Sequence, residues 1–211
     1  MNSDIDKKYL ILEKAKDMII TEGYSSLSIS KLTSELDISK GSFYTYFPSK
    51  DNMLSAILDE YIEKIKIFTN NLINKNNNID ECLDYYMNSV LNLTDEELKL
   101  ELVMANFKRN YEVFNEENFT KVKEIAYIII DATKEILHKY INDIKIEKKD
   151  IEKCSKMLFS IGEIFILMQS VDFNSKKFSF KTLEEVKKLY RSEEMKENLK
   201  FIKKSIKKIL Y

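Results

Sequence analysis

Glycine and proline are scarce: three glycines and one proline in 211 residues. Sheet proteins need many tight turns, and tight turns need those two residues, so an all-α chain is expected. Tryptophan is missing, histidine occurs once and cysteine twice. Cys82 and Cys154 stand far apart without a CxxC spacing, which excludes a disulfide framework or a metal knuckle. No glycine-rich phosphate loop and no Gly-x-Ser-x-Gly is present, and paired acids such as Glu96/Glu97 and Glu116/Glu117 fall at expected helix starts, where they serve the dipole. No catalytic set emerges, so no enzyme, cofactor or metal site is expected. His138 reads as a surface or hydrogen-bonded helix-end residue. A long hydrophobic run is also lacking. The most apolar stretch, MLFSIGEIFILMQSV, is too short to span a bilayer and contains Glu163. The first twenty residues mix charge through their apolar positions, unlike a signal peptide. A cytoplasmic, reduced protein with no membrane partner is expected.

What remains is an ordinary globular composition, 44% hydrophobic and 33% charged, long enough to bury a substantial core. Net charge is −1, but residues 181–211 carry ten Lys/Arg against five acids. That basic tail fits a solvated helix face, or contact with nucleic acid or membrane. Apolar residues recur at helical spacing from the start: Ile5, Tyr9, Leu10, Leu12, Ala15, Met18 and Ile19 are assigned one buried face, ending at Gly23. Ser28, Ser39 and Ser49 read as N-caps of three successive helices, with Pro48 closing the second of these. Breaks fall at 74–79, 115–118 and 172–181, a capping-box spacing at Thr94/Glu97, and a further interruption near Ser192. The count is about nine to ten helices.

The stretch 28–50 is a short helix, a tight turn and a second short helix, which is the helix-turn-helix plan. In the second helix Phe43 and Phe47 share one face and are expected to pack on Ile29, Leu32 and Leu36. Lys40, Ser42, Thr45 and Tyr46 take the other face, with Tyr44 at its flank. Gly41 would let the backbone approach a flat partner. Lys50 and the start of the fourth helix offer a phosphate site. This helix has no Arg, Asn or Gln, the side chains of bidentate base contacts, so weak readout per half-site is expected. Specificity would then rest on dimer spacing and DNA shape as well.

SISKLTSELDISKGSFYTYFPSKDNML resembles the DNA-binding domain of the TetR family of bacterial transcription regulators, over about residues 8–58. The carriers are the Ser-Lys-Gly-Ser start, the Phe-Tyr-x-Tyr-Phe run and the Ser-Lys-Asp that follows. Asp37 stands where the family turn usually has glycine, and Thr33 and Leu36 replace small alanines. The resemblance implies a helix-turn-helix domain over 1–50 and a helical effector-binding and dimerisation domain over 51–211. Ser28 and Lys31 would meet the DNA backbone, and Lys40, Gly41 and Ser42 would enter the major groove. Tyr44 and Tyr46 would touch phosphate or base edges, Thr45 would be a further contact, and Lys50 would bind phosphate.

The same resemblance implies a homodimer, a palindromic operator and release by a small-molecule effector. The segment 157–168 is apolar nearly all round, so it needs two burial partners, one of them a second copy. Leu158, Ile161, Gly162, Phe165, Ile202, Ile206 and Ile209 are assigned to that interface, with Gly162 read as a close helix–helix approach. Tyr61, Phe68, Tyr86, Met104, Phe107, Tyr111, Tyr127 and Phe165 are assigned to an effector pocket. Glu163 would bind a cationic ligand or stand at a rim. The competing reading is a helical interaction protein whose helix-turn-helix-like head does not bind DNA.

Overall fold

The computed structural model describes residues 2–108, 114–173 and 181–211. Among these residues ten α-helices form and no extended strand does: α1 Asn2–Glu22, α2 Ile29–Glu35, α3 Lys40–Tyr46, α4 Lys50–Asn74, α5 Ile79–Leu91, α6 Asp95–Lys108, α7 Glu116–Lys139, α8 Ile151–Ser170, α9 Leu183–Tyr190 and α10 Glu193–Leu210.

Local chemistry sets most of the boundaries. Ser28, Ser39 and Ser49 each accept a backbone N–H of their own first turn, at 3.2, 3.0 and 3.1 Å. Thr94 and Glu97 exchange the two bonds of a capping box at the start of α6. Asn115 caps α7 and Ser192 caps α10. Gly23 ends α1 at φ 84, ψ 152, a conformation open essentially to glycine alone. Asp37, at φ 52, takes the left-handed position after α2. There Ile38 N–H reaches Thr33 C=O and Asp37 N–H reaches Ser34 C=O, the paired bonds of a Schellman end. Asp tolerates this geometry better than most residues, so the turn keeps its form without glycine.

Helices α1–α3 form a head whose core holds Ile11, Ala15, Met18, Ile19, Leu32, Phe43 and Phe47. On α1 the buried stripe is Ile11, Ala15, Met18 and Ile19, while Tyr9 and Leu10 are about half exposed, against their expected placement. The stripe follows the i, i+4, i+7, i+8 spacing, and Tyr9 and Leu10 lie one position off it. The expected boundary at residue 50 falls on the first residue of α4, and the head core runs through it. It takes in Met53, Leu54, Ile57 and Leu58 of α4 and Leu100, Val103, Met104 and Phe107 of α6. Ion pairs reinforce this seam. The buried Lys16 ammonium meets Glu13 at 2.8 Å and Glu60 at 2.7 Å, and Lys99 meets Glu13 at 2.9 Å and Asp17 at 2.7 Å. Removing one member would leave an uncompensated charge out of water, so the cluster holds α1, α4 and α6 in one arrangement. The remaining helices pack around two further cores, one centred on Ile136, Leu137, Ile151 and Leu210, the other on Leu98, Leu102, Tyr190 and Leu199.

Candidate nucleic-acid interface and cavity

The seven residues of α3 divide by face. Phe43 is fully buried and Phe47, just past the helix, nearly so, their rings 5.8 Å apart. Lys40, Gly41, Tyr44 and Thr45 are exposed. Tyr44 stands edge-on to Phe43 at 5.5 Å, which braces it while half its surface stays open. Ser42 is half-buried, its N–H held by the cap. The Thr45 hydroxyl donates to Gly41 C=O at 3.0 Å, leaving its lone pairs and methyl outward. Tyr46 is half-buried against the head core. A Cβ on Gly41 would meet only Ser39 Oγ, at an ordinary 3.6 Å. The fold itself therefore does not require glycine there, although glycine costs about 1 kcal/mol inside a helix.

Three lysines expected to contact DNA, Lys31 at its backbone, Lys40 in the major groove and Lys50 at a phosphate, occupy different situations. Lys40 is exposed and makes no ion pair among the described residues. Lys31 is exposed, and its ammonium bonds Glu22 of α1, which raises its pKa. Lys50 turns inward: its ammonium donates to Tyr24 C=O at 2.7 Å and lies 4.1 Å from the centre of the Tyr24 ring. Burial lowers its pKa, with Asp51 acting weakly against that. The expected phosphate role of Lys50 thus meets a side chain already engaged inside the head. The cause is the 3-10 turn Tyr24–Ser26, which presents a carbonyl and a ring to the start of α4. Nothing in the spacing of 24 and 50 signals this.

A cavity of about 770 Å³ opens among α4, α5, α6, α7, α8 and α10. Of the residues assigned to a pocket, Tyr61, Phe68, Tyr86 and Phe165 line it. Met104 and Phe107 do not. They are buried in the core toward the head, where Phe107 packs edge-on to Tyr24 at 5.6 Å. Tyr127 faces away, 61% exposed on the outer side of α7. Tyr111 lies outside the described residues. The sequence reading missed Tyr85, Phe159, Glu101 and Lys64 on the wall. Tyr61 donates to Glu101 at 3.0 Å and Lys64 donates to the same carboxylate at 3.2 Å. Burial, then the carboxylates of Glu101 and Glu163, raise the pKa of both Tyr61 and Tyr86, so both phenols stay neutral. Glu163 is half-buried on the cavity wall. His138 is exposed next to the end of α7, as expected.

The residues assigned to a subunit interface mostly face inward. Leu158, Ile161, Gly162, Phe165, Ile202 and Ile206 all line the cavity, and Ile206 is buried in the chain's own core. Ile209 is half-buried. Gly162 answers an internal neighbour, since a Cβ there would sit 3.3 Å from the Tyr86 hydroxyl. The outward apolar side of α8 is instead Met157, Ile164 and Met168, with Phe201 exposed on α10. A helix apolar all round does not reveal by periodicity which stripe meets its own core.

The geometry defines a helix-turn-helix head on an all-helical, cavity-bearing body. Residues 11–57 match the family described as bacterial regulatory proteins, tetR family. It is 42% identical over 59 residues to the uncharacterized HTH-type transcriptional regulator YuxN of Bacillus subtilis (strain 168). That alignment covers 28% of this chain and 20% of the relative, so the chain matches only about a fifth of that protein's length. The likeness of fold extends much further. A TetR transcriptional regulator from Legionella pneumophila superposes with a TM-score of 0.66 at 19% identity, covering 97% of both chains. Reduced E. coli NemR gives 0.66 at 17% identity over 98% of both. Among the described residues no helix is long and apolar enough to cross a membrane.

Proposed function

We propose that the chain is a TetR-type transcriptional repressor that binds a palindromic operator as a homodimer and is released by a small-molecule effector. The observation that carries this reading is the sorting of α3. Its phenylalanine is buried, and Lys40, Gly41, Tyr44 and Thr45 form an open, hydrogen-bonding face. Ser42 and Tyr46 flank that face, Ser28 and Lys31 offer backbone contacts from α2, and Gly41 keeps the helix flat where a duplex would press on it. As a DNA-binding regulator the protein would act in the cytoplasm. The head spans about 1–50 and the effector-binding and dimerisation body the remainder, with α4 shared between them.

The second copy would cover the ridge of Met157, Ile164 and Met168 on α8, spaced at seven and four residues along one face. Effector release has a physical route in α6. Glu101 lines the cavity, and Lys99, two residues earlier, holds Glu13 and Asp17 of α1. A ligand that shifts Glu101 acts on the helix that anchors the head. Its effect on DNA binding equals its difference in affinity between the two arrangements.

The test is a gel shift with DNA flanking the protein's own gene, a palindromic site being compared with one half-site. Retardation at low salt with strong preference for the palindrome is expected. A folded dimer that shifts no DNA at low salt would instead identify a helical interaction protein. Equal affinity for palindrome and half-site would refute dimer readout.

A further inference from the structure

We propose that Asn118 is a positioning residue for operator binding: from the first turn of α7 it pins the start of α4 and so fixes the angle at which α3 meets DNA. This rests on the reading of the chain as a dimeric DNA-binding regulator, and it gives a residue outside the head a part in that binding.

Beside the head, α4 and α7 meet through polar side chains. Asp51, Ser55 and Asp59 follow one another at four-residue spacing on α4, and α7 answers each of them. The Asn118 amide donates to Asp51 C=O at 3.2 Å, the Ser55 hydroxyl donates to Glu117 at 3.1 Å, and the Lys121 ammonium meets Asp59. Apolar side chains tolerate a small slide of one helix along another, whereas paired polar groups select one register. The start of α4 is tied to the head in turn. The Tyr24 hydroxyl donates to Asp51 Oδ1 at 3.2 Å, and the Tyr24 carbonyl accepts from Lys50. Only residues 47–49 separate α3 from α4, and Phe47 among them is buried in the core that α4 shares with the head. A shift of the start of α4 against α7 therefore turns the open face of α3.

Asn118 stands where it costs stability. Its side chain is wholly buried, and its Oδ1 finds no donor among the described residues. A buried acceptor without a donor is unfavourable. The bond from its Nδ2 is also dispensable to Asp51, whose carbonyl lies in the first turn of α4 and is already served by the i→i−4 pattern of that helix. A leucine of similar size would fill the space without the unpaired oxygen. The Asn118 N–H is held by Asn115 Oδ1 at 2.8 Å, so a fixed turn presents the side chain. An unfavourable amide aimed at one carbonyl, on the helix that carries the head, marks a residue that sets geometry.

The test uses the palindrome that the full chain shifts, its two half-sites moved apart or together one base pair at a time, beside a single half-site, all read by fluorescence anisotropy. Each base pair turns one half-site by about 35° and moves it by about 3.4 Å, so the series reports how the two heads are held. Asn118→Leu is expected to melt no lower than the wild-type chain and to keep its affinity for the half-site. At the preferred spacing it is expected to lose roughly tenfold, as when one dimer in ten presents its heads correctly, and to lose less at other spacings. Asn118→Ala, which cannot overpack, is expected to give the same DNA pattern with a lower melt. Unaltered binding at every spacing by either folded variant overturns the proposal. So does a loss on the half-site equal to that on the palindrome, the result a merely structural residue would give. A wild-type chain that shifts no DNA, or binds palindrome and half-site equally, removes the dimeric-regulator reading and the proposal with it.

Discussion

The three lysines on and beside α3 make one separable prediction. Each cation that neutralises a phosphate contributes about 0.9 to the slope of log affinity against log salt. Lys40 is exposed and uncommitted, so Lys40→Ala should lower that slope by about 0.9 per head and about 1.8 per dimer. Over a rise from about 50 to 200 mM salt, this difference amounts to roughly tenfold in affinity. Lys31 must leave Glu22 to reach a phosphate, so Lys31→Ala should change the slope by less. Lys50→Met should leave the slope unaltered and act on stability instead. It removes a charge-assisted bond of about 1.5–3 kcal/mol to the Tyr24 carbonyl, partly offset by relief of the ammonium's desolvation. A net loss of about 1 kcal/mol corresponds to a fall in Tm of about 2–4 °C for a chain of this size. The assay is fluorescence anisotropy of a labelled duplex over a salt series, beside thermal melts of the free protein. A Lys50→Met slope reduced as far as that of Lys40→Ala would refute the reasoning, because it would show Lys50 leaving Tyr24 for the DNA.

Gly23→Ala should lose about 1–2 kcal/mol, seen in chemical denaturation, through backbone strain alone, since a Cβ there meets only Asn106 Oδ1 at 3.8 Å. Ile164→Asp on the outward side of α8 should raise the dimer dissociation constant at least about a hundredfold by sedimentation, with helicity unchanged, because a two-fold interface repeats the loss. Burial by itself would raise the Glu13 pKa, but the hydrogen bonds and charges of Lys16 and Lys99 outweigh it and hold the group below its ordinary 4.5. A lowered folded value stabilises the native state above the ordinary pKa, and that contribution is lost as pH falls through the folded value. The melting temperature should therefore drop below about pH 4.5, and Glu13→Gln should show a shallower drop.

The parts legible in advance are those decided within one turn of chain. The serine caps at 28, 39 and 49, the capping box at Thr94/Glu97, the stop at Gly23 and the break before Ser192 each involve partners no more than four residues apart. The two-faced α3 follows from the same rule, since Phe43 and Phe47 are one turn apart. Asp37 in the left-handed turn was readable too, because few other residues accept that geometry at modest cost. Tyr9 and Leu10 were misplaced because α1 carries more apolar residues than its buried stripe needs.

Sequence alone therefore determined the helical class, the helix-turn-helix head and which side of α3 is free, because backbone hydrogen bonding and side-chain periodicity are local. Only the tertiary structure decided which stripe of α8 turns inward, that Gly162 makes room for Tyr86, that Met104 and Phe107 support the head, and that Lys50 is held by Tyr24. Each of those depends on a partner from a distant part of the chain. The apolar surface of a helix shows that it will be covered, and the packed neighbours decide by what.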